Sequence, residues 1–401
     1  MGLAAPHSVS MTGYSAENSR RSVFASLAPC LLCVAGFLPF LIQPGIVEGL
    51  VHYLGLDTRT AGTVASLEMG ALVLGSVLVP ILTQKHAWRT IVLGALSLMV
   101  IGDLATFGYT GVVKLGLARA IAGVGEGILI ATGYALLASM PKPGRWLGVN
   151  AAVLTLSGGA IGACLPAGFA QWAFDAVPAI LLASATLALV AVPWISGRAV
   201  CRDLKLQQPA GGDVGTRARW PLPAIAAFGG CILMFLGQGA SWAYLFFIGT
   251  DAGLSADSVA FVLTAGLAAS SLGGLGLAAL SARYRVRTLA SLGALGSSLS
   301  LLLLWWPPSL PIFAIAGLAY TFATGFLTPI AMLVIAHADP SGRYREYGGT
   351  AQLLGLAIGP VVGGWLLAFG GIQTMLLSAM LLMGSYGLIT RPATRADPAR
   401  P

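Results

Sequence analysis

Apolar runs of about twenty residues follow one another along almost the whole chain, separated by short polar segments. A helix needs roughly 20 apolar residues to cross a bilayer. Only 9% of the 401 residues are charged, against about 25% in soluble proteins, so the pattern predicts an all-α membrane protein with twelve transmembrane helices. The predicted spans are residues 24–47, 61–83, 90–108, 113–140, 146–172, 176–196, 222–248, 257–281, 288–306, 311–336, 347–369 and 372–390.

The longest internal polar stretch divides the chain near its middle. The predicted organisation is a tail at 1–23, a six-helix bundle at 24–196, a linker at 197–221, a second six-helix bundle at 222–390 and a tail at 391–401. The two halves also repeat at an offset of 200 residues, which predicts pseudo-symmetric bundles around a midplane site. The matching residues are Arg145, Gly148 and Gly159 with Arg345, Gly348 and Gly359.

The basic residues predict the orientation of the chain in the membrane. With both termini in the cytoplasm, 19 of the 22 Lys and Arg residues lie on the cytoplasmic side, as the positive-inside rule requires. Because these residues lie at helix ends, the net charge of +8 does not indicate a nucleic-acid partner. Arginine outnumbers lysine 18 to 4, which favours a GC-rich bacterial genome and a multi-pass protein of the bacterial inner membrane.

Two glycine-rich motifs stand inside predicted spans. Span four contains Leu115-x-x-x-Arg119-x-x-Ala122-Gly123-x-Gly125, and span eleven contains Gly355-x-x-x-Gly359-Pro360-x-x-Gly363-Gly364. The first resembles the span-four motif of the major facilitator superfamily, with Ala122 where Gln is usual. The second resembles that family's antiporter motif, in the repeat-equivalent of span five. Span five itself lacks the Gly-Pro pair, and loop 84–89 lacks the family's acidic residue, so the resemblance does not extend to the drug:proton antiporter branch.

The resemblance covers residues 24–390 and implies the fold of that family, in which two halves expose a central site to each side in turn. Proline removes a backbone donor and glycine permits close approach. Gly359 and Pro360, with Gly363 and Gly364, are therefore predicted to let span eleven bend and pack closely against a helix of the other half. Gly123 is predicted to leave room between Arg119 and Glu126.

Charged residues inside apolar spans are costly and are functional candidates by default. Four stand in the first half, namely Glu68, Asp103, Arg119 and Glu126. Arg119 and Glu126 are seven residues apart, so they project from one helix face. Low dielectric disfavours the charged form of a carboxyl, so Glu126, near the middle of span four, is predicted to bind and release a proton. Glu68, Asp103 and Arg119 are further candidates; a structural ion pair of Arg119 with Asp103 or Glu68 is the alternative.

The resemblance implies that spans one, four, seven and ten line the central cavity. The polar and aromatic residues on these spans are therefore the candidate substrate contacts, although an aromatic stripe also serves helix packing and Thr often bonds to its own helix. They are Phe40, Gln43, Arg119, Glu126, Gln238, Trp242, Phe246, Tyr320 and Thr324.

Other chemistries find no support in the sequence. It contains no phosphate-binding loop, catalytic triad motif or clustered metal ligands, so neither catalytic residues, nor a cofactor, nor a metal is predicted. The favoured interpretation is a monomeric secondary active transporter, not an enzyme, that moves a small organic solute with protons. The alternatives are a drug or metabolite exporter of the proton-antiporter type and, in a different class, a membrane sensor or membrane-embedded enzyme.

Overall fold

The computed structural model describes residues 27–108, 111–140, 143–195, 221–281, 283–338 and 348–394. The predicted tail at 1–23 and all but Pro221 of the predicted linker lie outside these residues. Spans one to six are Leu27–Leu41 with Gln43–His52, Thr58–Lys85, Trp88–Thr106, Val112–Ala138, Pro143–Trp172 and Ala176–Ala191. Spans seven to twelve are Leu222–Ala243 with Leu245–Asp251, Ala256–Leu280, Val286–Leu302, Leu310–Ala338 and, as one stretch holding two spans, Gly348–Gly384.

The twelve-helix architecture is confirmed in the described residues, although several spans are broken or joined. Eight helical stretches are long and apolar enough to cross a membrane alone, or nine with the bent first span. Two of these stretches each hold two spans, and Val286–Leu302 is a shorter apolar helix. Gly371 separates spans eleven and twelve with a φ of 73°, which glycine adopts without a Cβ clash.

Proline explains the bend of the first span, whose two segments meet at 44°. Pro44 has no N–H, so it cannot donate to the carbonyl of Phe40 four residues earlier. The indole Nε1 of Trp242 donates to that carbonyl instead, at 2.9 Å. A break in one half is thereby closed by a side chain of the other half.

Three of the predicted boundaries that differ from the structure have a clear physical cause. The first span continues to His52 and the seventh to Asp251, because their last turns pack against each other and Thr250 donates to Glu48 between them. Glu48 is 7% exposed there. The ninth span ends at Leu302, before Pro307 and Pro308, which cannot donate to a continuing helix.

The two halves contact each other through spans one with seven, two with eleven, and five with eight. Thr250 Oγ1 donates to Glu48 Oε1 at 2.9 Å, the Val361 N–H donates to Ser66 Oγ at 2.8 Å, and Thr264 Oγ1 donates to the Gly159 carbonyl at 3.0 Å. We call the end with loops 53–57 and 252–255 the outer end, following the predicted orientation. The contacts of spans one with seven and two with eleven lie toward this end.

Span eleven packs on two helices, one in each half. A Cβ at Gly359 would lie 2.6 Å from Cα of Gly239, and one at Gly363 would lie 3.1 Å from the Ala240 carbonyl, so both glycines pack on span seven of the same half. Pro360 and Gly364 meet span two of the other half, because a Cβ at Gly364 would overlap the Thr58 carbonyl and one at Gly62 would overlap the Pro360 carbonyl. The predicted close packing of span eleven on the other half is therefore present, but at Pro360 and Gly364, since one residue rotates a helix face by 100°.

Candidate functional site

Arg119 holds three carboxylates around one guanidinium in the interior of the first half. Its Nη1 donates to Asp103 Oδ1 at 2.7 Å. Its Nη2 contacts Glu68 Oε1 closely and Glu126 Oε1 at 3.3 Å. All four residues are at most 2% exposed. The structure therefore brings together the four charged residues that the sequence singled out, from spans two, three and four.

The cluster carries more acid than base. If every group were ionised, three carboxylates and one guanidinium would leave two negative charges in the membrane interior, at a cost of several kcal/mol. Protons on two of the carboxyls would remove that cost. Glu126 makes the longest of the three contacts with Arg119, and its Oε2 has no hydrogen-bond partner among the described residues.

Close helix packing fixes the cluster in place. Gly123 lies against the Glu68 carbonyl, where a Cβ would overlap it, so spans two and four approach at the level of the charges. The space that Gly123 leaves on this stripe is filled by the backbone of span two. A Cβ at Gly36 would lie 2.6 Å from the Glu126 carbonyl, so span one also packs closely on span four.

The candidate substrate residues of the first and seventh spans meet near the midplane. The rings of Phe40 and Trp242 have centroids 6.5 Å apart, and both residues belong to the contact between the halves. Gln43 is buried, and its Oε1 has no hydrogen-bond partner in the described part of the chain. Trp242 and Phe246 share the wall of a small cavity of about 20 Å³, which is too small for an organic solute.

The candidates of spans seven and ten form a hydroxyl network. Tyr320 Oη lies 2.8 Å from Ser241 Oγ and donates to the Gln238 carbonyl at 3.2 Å. Thr324 donates to the Thr321 carbonyl at 3.0 Å, within its own helix, as the alternative interpretation of membrane threonines predicts. Arg119 and Glu126 face the charged cluster instead.

Three residues near the outer end were missed by the sequence reasoning. Tyr244, fully buried, donates from Oη to the Thr58 carbonyl at 2.7 Å and so bridges the halves. Ser66 accepts from span eleven. Glu48 accepts from Thr250. Of these three residues, only Glu48 could have been recognised from the sequence. It directly follows an apolar run, and a second apolar pair comes soon after it, which indicates that the helix continues.

Comparisons with known proteins agree with this architecture. The family model described as Major Facilitator Superfamily matches residues 227–401. The fold of the whole chain is similar to that of a D-xylose–proton symporter, with a TM-score of 0.72 and 14% identity, over 94% of this chain and 98% of the other. The family match therefore covers the second half of the chain, and the fold similarity covers nearly all of it.

Two further superfamily structures resemble the chain. The nucleoside transporter NupG matches with a TM-score of 0.69 and 14% identity, over 94% of this chain and all of its own. The inward-open xylose transporter XylE from E. coli matches with a TM-score of 0.69 and 14% identity, over 91% of this chain and 94% of its own. No curated protein sequence matches the chain significantly. At these identities the likeness shows the fold alone, and the chain has the multi-pass helical fold of these transporter structures.

Proposed function

We propose that the whole chain is a major facilitator superfamily transporter, a proton-coupled carrier that moves a small, uncharged organic solute by alternating access and works as a monomer. The observation that carries the proposal is the buried cluster of Glu68, Asp103 and Glu126 around Arg119. A cluster with more carboxyls than cations changes its charge by taking up or releasing protons. Such a change is the chemistry that a proton-driven carrier requires.

The cluster is also connected to the contact between the halves. Glu68 lies two residues from Ser66, which accepts from the Val361 N–H of span eleven. Span two therefore carries the proton cluster on one face and the outer-end contact on another. A change in the charge of the cluster alters the packing of span two on span four, which is how proton binding would favour one arrangement of the halves.

The chemistry of the second half favours a solute without a strong charge. In described spans seven to twelve, Asp251, Asp257 and Arg287 lie in the first or last turn of their helices. The midplane residues there are hydroxyl, amide and aromatic groups, such as Tyr320, Gln238 and Trp242. These groups recognise hydroxylated or aromatic solutes by hydrogen bonds and stacking.

Proteoliposomes test this function. Thermal-shift screening of the purified protein against a solute library would identify ligands, whose uptake is then measured with and without an imposed pH gradient. If solute and protons move together, solute should accumulate inside the proteoliposomes when the outside is acidic. If solute is exchanged for protons, it should accumulate inside when the inside is acidic. Solute uptake that is unchanged by a pH gradient of either direction would contradict proton coupling.

The membrane orientation is a separate proposal. The distribution of basic residues supports a cytoplasmic location for both termini and the 197–221 linker, and the arginine bias supports a bacterial inner membrane. Single-cysteine labelling should therefore modify the linker only after cells are permeabilised. Strong labelling of the linker in intact cells would reverse the orientation.

Gly364→Ala is expected to open the outer end. The added Cβ overlaps the Thr58 carbonyl and lies 2.5 Å from Tyr244 Oη, so span eleven must move away from span two. Spin labels at Leu56 and Gln373, on the outer ends of the two halves, should report a longer mean distance in this variant than in the wild type.

Gly363→Ala is the matched control for this experiment. Its Cβ would lie 3.1 Å from atoms of Ala240 and Tyr244, which are in the same half, so the label distance should stay close to that of the wild type. If both variants lengthen the distance equally, the contact of Gly364 with span two does not hold the outer end closed.

A further inference from the structure

A second cavity opens at the outer end, away from the proton cluster and the midplane residues. It has a volume of about 410 Å³ and lies among the outer ends of spans one, five and seven. Its walls combine two carboxylates with aromatic rings: Glu48, Asp251, Tyr53, Phe169, Phe246 and Phe247. His52 also lines it, and no lysine or arginine does among the described residues.

Glu48 indicates what the cavity would bind. Only 7% of the residue is exposed, and it lines the cavity. Oε1 accepts from Thr250 Oγ1, but Oε2 has no hydrogen-bond partner among the described residues. A buried carboxylate oxygen without a partner is costly, and an approaching cation would remove that cost.

The aromatic residues limit the kind of cation. Phe169 and Phe246 are buried, and Tyr53 is 40% exposed at the rim. The rings of Tyr53 and Phe169 lie 4.9 Å apart, tilted by 31°, and form one side of the cavity. Aromatic faces attract alkylammonium groups through the ring quadrupole, whereas a small metal ion would need more oxygen ligands than two carboxylates and a hydroxyl supply.

We propose that this outer cavity is a binding site for a small organic cation, a protonated or quaternary amine, distinct from the site of the transported solute. Glu48 comes from the first half and Asp251 and Phe247 from the second, so a bound cation contacts both halves where they meet. Its occupancy would stabilise the closed outer end. The inference rests on the cavity itself and holds whatever solute the protein carries.

Choline and 3,3-dimethyl-1-butanol test the proposal, because they have the same shape and differ in the charge of the head group. Binding to the purified full chain is measured by calorimetry at constant ionic strength. Choline should bind, and the neutral alcohol should bind at least about tenfold more weakly. Glu48→Gln and Asp251→Asn should each weaken choline binding by about tenfold, since each removes one charge from the site. Asp251 is exposed, so its variant should fold normally.

Two controls separate this site from others. Asp257→Asn removes an exposed charge at the same end that does not line the cavity, and it should bind choline like the wild type. Glu126→Gln should also retain choline binding, because Glu126 belongs to the proton cluster. The proposal is overturned if choline does not bind, if the neutral alcohol binds equally well, or if Glu48→Gln and Asp251→Asn leave the affinity unchanged. None of these results would affect the proposed proton coupling.

Discussion

Glu126→Gln is expected to abolish pH-driven accumulation of solute while leaving solute exchange at equal pH close to the wild-type rate. Glutamine keeps the shape and hydrogen-bonding capacity of the side chain but cannot take up a proton. Glu126 is the carboxyl that Arg119 holds at the greatest distance, 3.3 Å, so it is the member of the cluster that loses least when it is protonated. The measurement is uptake into proteoliposomes with an imposed pH gradient, followed by counterflow at equal pH.

Glu68→Gln is the decisive comparison for this prediction. Glu68 contacts the same Nη2 of Arg119 more closely, so we assign it to positioning Arg119 and not to proton coupling. If Glu126→Gln still concentrates solute and Glu68→Gln does not, the coupling role belongs to Glu68. Asp257→Asn removes a distant exposed carboxylate and should behave like the wild type in both assays.

Arg119→Leu is expected to lower the free energy of unfolding by about 3–5 kcal/mol, the usual cost of leaving buried charges without their partner. Arg119 is 1% exposed and is the counter-ion of carboxyls from three spans. Without it, the three acids must all be protonated or must separate. The thermal unfolding midpoint of the purified protein should therefore fall well below that of the wild type, and transport should be lost.

Two further variants test whether the loss of stability in Arg119→Leu comes from the buried cluster. Arg145→Leu removes an exposed arginine at the start of span five and should change the midpoint little. The double variant Arg119→Leu with Glu126→Gln should be more stable than the sum of the two single changes predicts, because groups in one network are not independent. Additive effects would show that Arg119 and Glu126 do not interact in the folded protein.

These experiments address a link between proton binding and movement that the structure suggests. Span two joins the cluster at Glu68 to span eleven at Ser66, and its outer end meets Gly364 and Tyr244 of the second half. Glu126→Gln changes the charge of the cluster without changing the outer contacts. Gly364→Ala changes the outer contacts without changing the charge of the cluster. If spin labels at Leu56 and Gln373 report the same conformational shift for both variants, the two regions act on one equilibrium.

The sequence by itself determined the features that depend on the local chain. The bilayer requires long apolar helices, so composition and spacing predicted twelve spans, and the break at Gly371 falls between predicted spans eleven and twelve. The 3.6-residue period placed Arg119 and Glu126 on one face, and their side chains meet in the structure. Both results follow from properties of single helices.

Only the tertiary structure decided which helices share these residues. Lipid tails are as apolar as a helix interface, so the sequence of a span carries little sign of which face meets lipid and which meets protein. The gathering of Glu68 and Asp103 around Arg119 depends on the mutual rotation of three spans. The burial of Glu48 against Thr250, 202 residues away, depends on how the two halves meet. Such contacts are set by packing between distant segments, and a pattern within one segment cannot encode them.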